Sequence, residues 1–129
     1  TRLLAGSGKV ADTVRVETDG AFLAGEAGIV APAETVPFEA ESLDLVVSLL
    51  SLQAMNDIPG VLAQIRRALK PDGLFLGALA GAGTLSELRE SLLAAETELY
   101  GGASPRILPF TDVRDAGALL QRAGLALPV

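Results

Sequence analysis

Residues 43–50, Leu-Asp-Leu-Val-Val-Ser-Leu-Leu, are almost unbroken apolar positions with β-branched residues at the centre. That is the pattern of a strand covered on both faces in a parallel sheet, central rather than at an edge. Two shorter runs, Val14-Arg15-Val16 ending in Glu17-Thr-Asp-Gly and Gly28-Ile-Val-Ala, are bounded by turn formers and predict short strands. Phe22 and Leu23 between them suit a short helix. Beyond the long run the period changes to that of a helix. Ile58, Val61, Leu62, Ile65, Ala68 and Leu69 fall on one stripe behind a capping Asp57, with Pro59 tolerated in the first turn. Lys70-Pro71-Asp72-Gly73 then stops the helix, Pro71 by its ring and Gly73 by permitting a tight turn, and residues 73–79 read as the next strand.

In the second half, Thr84-Leu-Ser-Glu87 predicts a capping box opening a helix with Leu85, Leu88, Leu92, Ala95 and Leu99 on one face, running to about Tyr100. A loop over 101–109 leads to a third helix over 112–123, stopped by Gly124 in the position just past its end. Residues 125–129 would begin another strand. Strands alternating with helices predict an α/β fold with a parallel sheet and right-handed crossovers. No repeat, low-complexity tract or interdomain linker interrupts the order, so residues 1–129 are expected to form a single domain.

Composition narrows the chemistry. Half of the 129 residues are apolar, enough for a sizeable core without staples. Ten Lys and Arg against 16 Asp and Glu leave a net charge of -6, which disfavours a nucleic-acid partner because affinity for a phosphate backbone comes largely from cationic side chains. With no cysteine and no histidine, disulfides, Cys or His zinc sites and Ser-His or Cys-His catalysis are excluded within this sequence. The longest charge-free apolar run, residues 73–85, carries several glycines and is too short for a membrane span. No basic-then-apolar leader is visible, and the expected location is cytoplasmic. The first residue is not Met, so the N-terminus is expected to differ from the natural one.

Several residues invite a functional reading. Glu17 ends the first predicted strand, and in nucleotide-binding α/β sheets a carboxylate at such a tip accepts hydrogen bonds from both ribose hydroxyls. Its plainer reading is a solvated turn residue. Ala33-Glu34-Thr-Val-Pro37-Phe38 reads as a turn whose Pro37 and Phe38 anchor the next strand. Ser48, Leu50 and Gln53 lie at or just past the end of the long strand, where a crevice would open, while a core strand with a polar tip is the alternative.

Taken together, Glu34-Thr-Val-Pro-Phe, the strand Ser42-Leu-Asp-Leu-Val-Val and the turn Arg67-Ala-Leu-Lys-Pro-Asp-Gly resemble the middle of a class I S-adenosylmethionine-dependent methyltransferase of type 11. Gly81-Ala-Gly-Thr-Leu-Ser-Glu-Leu-Arg89, Ala95-Glu-Thr-Glu98, Gly101-Gly-Ala-Ser-Pro-Arg-Ile-Leu-Pro-Phe110 and Leu119-Leu-Gln-Arg-Ala-Gly124 are similar to the methyltransferase-like assembly factor 5 family of respiratory complex I and its bacterial relatives. A weaker likeness, mostly in the first half, is to the malonyl-carrier-protein methyltransferases of biotin synthesis. The resemblance implies a Rossmann-like parallel sheet, S-adenosylmethionine as small-molecule cofactor, and Glu17, Ala33, Glu34, Ser48, Leu50 and Gln53 as cofactor-binding residues. Asp44 would be structural, and the loop over 104–110 is either a rigid surface loop or a substrate contact.

Methyl transfer is an in-line displacement governed mainly by positioning, so it requires no acid-base signature. The assembly-factor family instead implies hydroxylation of an arginine on a complex I subunit, and here a two-His-one-carboxylate iron site is impossible without histidine. This sequence departs from the family at three places. Pro32 stands where an Asp accepts a hydrogen bond from the adenine amino group, Gln53-Ala54 stand where a His-Trp pair is common, and no acidic-x-Gly-x-Gly-x-Gly loop precedes Glu17. Gly6 and Gly8 are a degenerate version of that loop, with residues 2–5 as its strand, or residues 1–5 end the helix that follows it; only eight residues separate Gly8 from Glu17, which favours the second. The expectations are then a fragment or natural truncation, incomplete at both ends, working as a methyltransferase domain or as a noncatalytic assembly or interaction module. An unpaired strand edge in it would suit a homodimer.

Overall fold

The computed structural model describes residues 4, 6–106 and 110–126. Its elements follow in the order β1 (Arg15–Glu17), a 3-10 turn (Gly20–Leu23), β2 (Gly28–Val30), β3 (Leu43–Leu49), a second 3-10 turn (Leu52–Ala54), α1 (Ile58–Ala68), β4 (Leu69–Ala78), α2 (Ser86–Tyr100) and α3 (Val113–Arg122). The alternation expected of an α/β chain is therefore present. The described strands form two two-stranded sheets, β1 with β2 and β3 with β4. In the second, the Ser42 N–H donates to the Ala68 carbonyl and the Leu50 N–H to the Ala78 carbonyl, so the two strands advance together and are parallel. Among the described residues no helix is long and apolar enough to cross a membrane.

The chain divides into two compact units, Thr1–Val46 with Met55–Leu74, and Val47–Ala54 with Phe75–Val129. The first holds most of the buried side chains. Val61, Leu62, Ile65 and Ala68 of α1 are buried as the stripe predicts, joined by Leu69, Leu23 and Ala31. Asp57 caps α1 by accepting from the Gly60 N–H at 2.9 Å. Gly28 opens β2 without a side chain for a steric reason: a Cβ there would lie 2.5 Å from Leu23 Cδ2 and 2.8 Å from the Arg15 carbonyl.

The helix-to-strand turn differs in detail from the expectation. Strand β4 begins at Leu69, four residues early, and the left-handed residue is Asp72 (φ 62°) rather than Gly73. Aspartate tolerates that conformation through its short polar side chain. The glycine is needed for space, because a Cβ at Gly73 would sit 3.0 Å from the Lys70 carbonyl. A surface ion pair between Lys70 and Asp44, 2.9 Å, links β4 to β3 and is worth little by itself. This pairing agrees with a structural part for Asp44.

A second correction concerns β3. None of its residues is buried, Leu49 and Leu50 are exposed, and among the described residues it pairs with β4 alone, so it is not a central strand covered on both faces. An apolar run states what a strand tolerates burying; cover depends on which elements lie beside it.

Among the described residues of the second unit Leu52 is the buried side chain, and α2 and α3 bury none. The stripe on α2 is consequently uncovered, with Leu88 and Leu99 exposed. The predicted capping box does not form: the helix starts at Ser86 behind Leu85 in the left-handed region (φ 57°), without a side-chain cap. The Thr84 carbonyl instead accepts from the Arg89 guanidinium, 3.2 Å. Helix α3 matches its expectation, with Asp112 accepting from the Arg114 and Asp115 N–H groups and Gly124 left-handed (φ 81°) at its end. The strand expected over 125–129 falls partly on residues 127–129, outside the described residues, and Leu125 and Ala126 are not in a strand.

Glu96 on α2 ties down the following loop by accepting from the Ser104 N–H (2.8 Å) and the Arg106 Nε. The Ser104 bond first, then Arg106, holds the Glu96 carboxyl below its ordinary value of 4.5. A depressed carboxyl contributes stability above its unfolded pKa and loses it as pH falls through the folded one. The Ser104 amide is therefore expected to be protected at neutral pH and to lose protection as pH drops below about 4.5. Amide exchange of Ser104 against pH checks this, with Glu96→Gln expected to abolish the transition.

Candidate functional site

Strands β1 and β2 are parallel in the register Arg15↔Gly28, Val16↔Ile29, Glu17↔Val30. The Ala31 N–H donates to the Glu17 carbonyl at 3.0 Å, so both strands end together. Carboxyl ends of parallel strands are where α/β folds bind ligands. At that end Glu17 presents a half-buried carboxylate whose Oε1 accepts from Arg15 at 2.8 Å, while Oε2 has no protein partner among the described residues. Arg15 and Glu17 share a strand face because side chains alternate with a period of two. The same guanidinium donates to the Phe22 carbonyl (2.8 Å) and to Glu26 (3.2 Å). The Glu17 bond, ahead of Glu26, pushes Arg15 still higher than its ordinary value.

Immediately after β2, residues 32–35 make a β-turn closed by the Thr35 N–H on the Pro32 carbonyl, 2.9 Å. Ala33 is exposed at its corner, and its N–H has no partner among the described residues. The exit of the turn is held from α1. Gln64, half-buried, accepts from the Val36 N–H (3.1 Å) through Oε1 and donates to the Glu34 carbonyl (2.9 Å) through Nε2. The Glu34 carboxylate accepts from the Asn56 and Asp57 N–H groups ahead of α1. Glu34 Oε1 is thereby occupied by protein donors, whereas Glu34 Oε2 and the Ala33 N–H have no partner among the described residues.

The remaining candidates lie in the other unit. Ser48 shares a 2.8 Å hydrogen bond with Ser51, both hydroxyls at the end of β3. Leu50 is 63 % exposed and left-handed (φ 55°), a conformation that costs a residue with a Cβ on the order of 1 kcal/mol or more. Gln53 donates to the Leu50 carbonyl at 2.8 Å, and its Oε1 is a buried acceptor without a partner among the described residues. Of the Gly6 and Gly8 segment, Leu4 is helical, the Ser7 N–H returns to the Leu4 carbonyl at 3.1 Å, and Gly8 is left-handed (φ 68°), the form of a helix end rather than of a strand. Residues 1–3 and 5 lie outside the described residues. No group of three or more His, Cys, Asp or Glu suited to a metal occurs among the described residues.

The methyltransferase-domain family matches residues 1–77, more than half of the sequence. The chain belongs to this family. As a methyltransferase-family domain it is 57% identical over 96 residues to "Arginine-hydroxylase NDUFAF5, mitochondrial" of Mus musculus, covering 74% of this chain and 28% of that protein. It is 39% identical over 108 residues to "Malonyl-[acyl-carrier protein] O-methyltransferase" of Laribacter hongkongensis, covering 84% of this chain and 34% of that protein. The chain thus spans about a third or less of the curated relatives it matches. Among solved structures, an S-adenosylmethionine-dependent methyltransferase from Mesorhizobium loti superposes with a TM-score of 0.68 at 17% identity, over 95% of this chain and 67% of that one. The YcgJ protein from Bacillus subtilis gives 0.64 at 19% identity, over 94% and 55%. At that identity the likeness speaks for the Rossmann-like fold alone, which agrees with the expected fold class.

The family domain implies S-adenosylmethionine, and the adenosine part of that molecule fits the β1–β2 end on chemical grounds. A carboxylate with one free oxygen suits ribose hydroxyl donors, and an unpaired N–H suits a ring-nitrogen acceptor. Sequence reasoning passed over two residues that shape this end. Arg15 carried a signal, an opposite charge two positions from Glu17 on one strand face. Gln64 carried none, since it meets its partners across 28 and 30 residues of chain.

Proposed function

We propose that this chain is a partial S-adenosylmethionine-dependent methyltransferase domain, residues 1–129, that binds the adenosine part of the cofactor. The observation that carries the reading is the pairing of the Glu17 carboxylate with the open Ala33 N–H at one end of a parallel sheet. In this reading Glu17 accepts from the ribose hydroxyls and Ala33 donates to the base. Glu34 serves by holding the turn. Ser48, Leu50 and Gln53 enter by resemblance to the family's methyl-donor neighbourhood. When bound, the cofactor supplies an electrophilic methyl group; the residues of this chain bind and orient it, and no side chain needs to act as base.

The acceptor is a protein or a small molecule, and arginine hydroxylation in place of methyl transfer is the alternative that follows the 57% identity to a protein named an arginine-hydroxylase. A complex I subunit is the corresponding partner, and the proposed location of this chain is cytoplasmic. A second reading, a noncatalytic assembly or interaction module that pairs with itself or another protein, is favoured by the exposed Leu49, Leu74 and Leu76 of β3 and β4 and by Leu50 just past β3. Calorimetric titration with S-adenosylmethionine and S-adenosylhomocysteine decides between them. Micromolar binding, about -8 kcal/mol, is expected from the first reading and no binding from the second.

A further inference from the structure

We infer that Gln64, in the second turn of α1, is a positioning residue for nucleoside binding, acting by clamping the turn that presents the Ala33 N–H. The inference rests on the adenosine-binding reading above and adds to it the residue that makes the turn rigid. Three observations converge. In the turn over 32–35 the Thr35 N–H is consumed by the Pro32 carbonyl, and the Ala33 and Glu34 N–H groups at its corner have no hydrogen-bond partner among the described residues. Both ends of one side-chain amide hold its exit, with Gln64 accepting from Val36 and donating to the Glu34 carbonyl. The Glu34 carboxylate holds its middle by accepting from Asn56 and Asp57.

A primary amide suits this place because it is a donor and an acceptor on one planar group. It satisfies a carbonyl and an N–H two residues apart in extended chain, as a neighbouring strand would. Pro32 sharpens the argument. With no acidic side chain at that position, recognition of a base rests more heavily on where the Ala33 N–H points. Preorganising that one donor is what the clamp achieves, since a donor fixed before binding loses no further freedom on binding.

Gln64→Leu is expected to leave the helix content unchanged, to accelerate amide exchange of Val36 in the unliganded chain, and to weaken S-adenosylhomocysteine binding about tenfold. Gln64→Glu provides a signature that packing alone does not. Ionised, it keeps the acceptor for Val36 but faces the Glu34 carbonyl with a carboxylate; protonated, its O–H donates as the amide did. Its affinity relative to the native chain at the same pH is expected to be reduced at pH 8 and to recover toward pH 5. Equal binding by the native chain and both variants, or unchanged Val36 exchange in Gln64→Leu, overturns the inference while leaving the adenosine reading intact. Absence of S-adenosylhomocysteine binding by the native chain overturns both, and Val36 exchange then shows separately that the clamp is only a fold contact.

Discussion

Glu17→Ala is expected to weaken S-adenosylhomocysteine binding by about 10- to 100-fold, because losing a charge-assisted hydrogen bond to an ionised acceptor costs roughly 1.5–3 kcal/mol in all. The backbone at this position is held independently of the side chain, through the Glu17 carbonyl and the Ala31 N–H, so β1 and β2 should remain paired in the variant. Arg15 keeps Glu26 and the Phe22 carbonyl as partners and is not left isolated. Calorimetry measures the loss, and Glu17→Gln separates its parts: the amide retains one acceptor and adds a donor, and should fall between the two. A variant that binds as tightly as the native chain would remove Glu17 from the site and return it to the role of a strand-end ion-pair partner.

The second large effect is on stability. Leu62 is 2 % exposed and sits on the buried face of α1 with Val61, Ile65 and Ala68. Leu62→Ala is expected to destabilise the chain by about 2–5 kcal/mol, the transfer free energy of the lost methyl groups together with the cavity they leave. Set against a typical total of roughly 5–15 kcal/mol, that is a large fraction. The effect should be read as a lower urea midpoint at unchanged slope. Leu88→Ala on α2, by contrast, should shift the midpoint little, since Leu88 is exposed and its removal opens no cavity. If both substitutions cost the same, the burial pattern described for α1 and α2 is wrong.

The contrast between these two helices shows what periodicity can and cannot report. Both carry an apolar stripe at helical spacing, and both form helices where the stripe and flanking residues place them, Ile58–Ala68 and Ser86–Tyr100. One stripe is buried and the other is not. Asp57 and Asp112 cap their helices as expected because a cap is local, a side chain meeting an N–H two or three residues away. Thr84 fails as a cap for an equally local reason: Leu85 occupies the cap position in the left-handed region, and Arg89 takes the Thr84 carbonyl.

The candidate site divides in the same way. Glu17 could be read from its place at the end of a strand, and Ala33 and Glu34 from a motif with a fixed order. Which of them is available to a ligand could not. That Glu34 is occupied by the Asn56 and Asp57 N–H groups, that Ala33 is open, and that Gln64 holds the turn between them all depend on contacts across 22 to 30 residues of chain.

From sequence alone follow the alternation of strands and helices, the buried stripe of α1, the end of that helix ahead of Lys70-Pro71-Asp72-Gly73 and the membership in the methyltransferase-domain family, because each is written in spacing and turn chemistry along the chain. Tertiary structure alone decided that β3 is uncovered, that β4 starts at Leu69, and that the Glu17 carboxylate shares Arg15 with Glu26. Burial and hydrogen-bond commitment belong to pairs of segments brought together by folding, and no local pattern encodes which pair will meet.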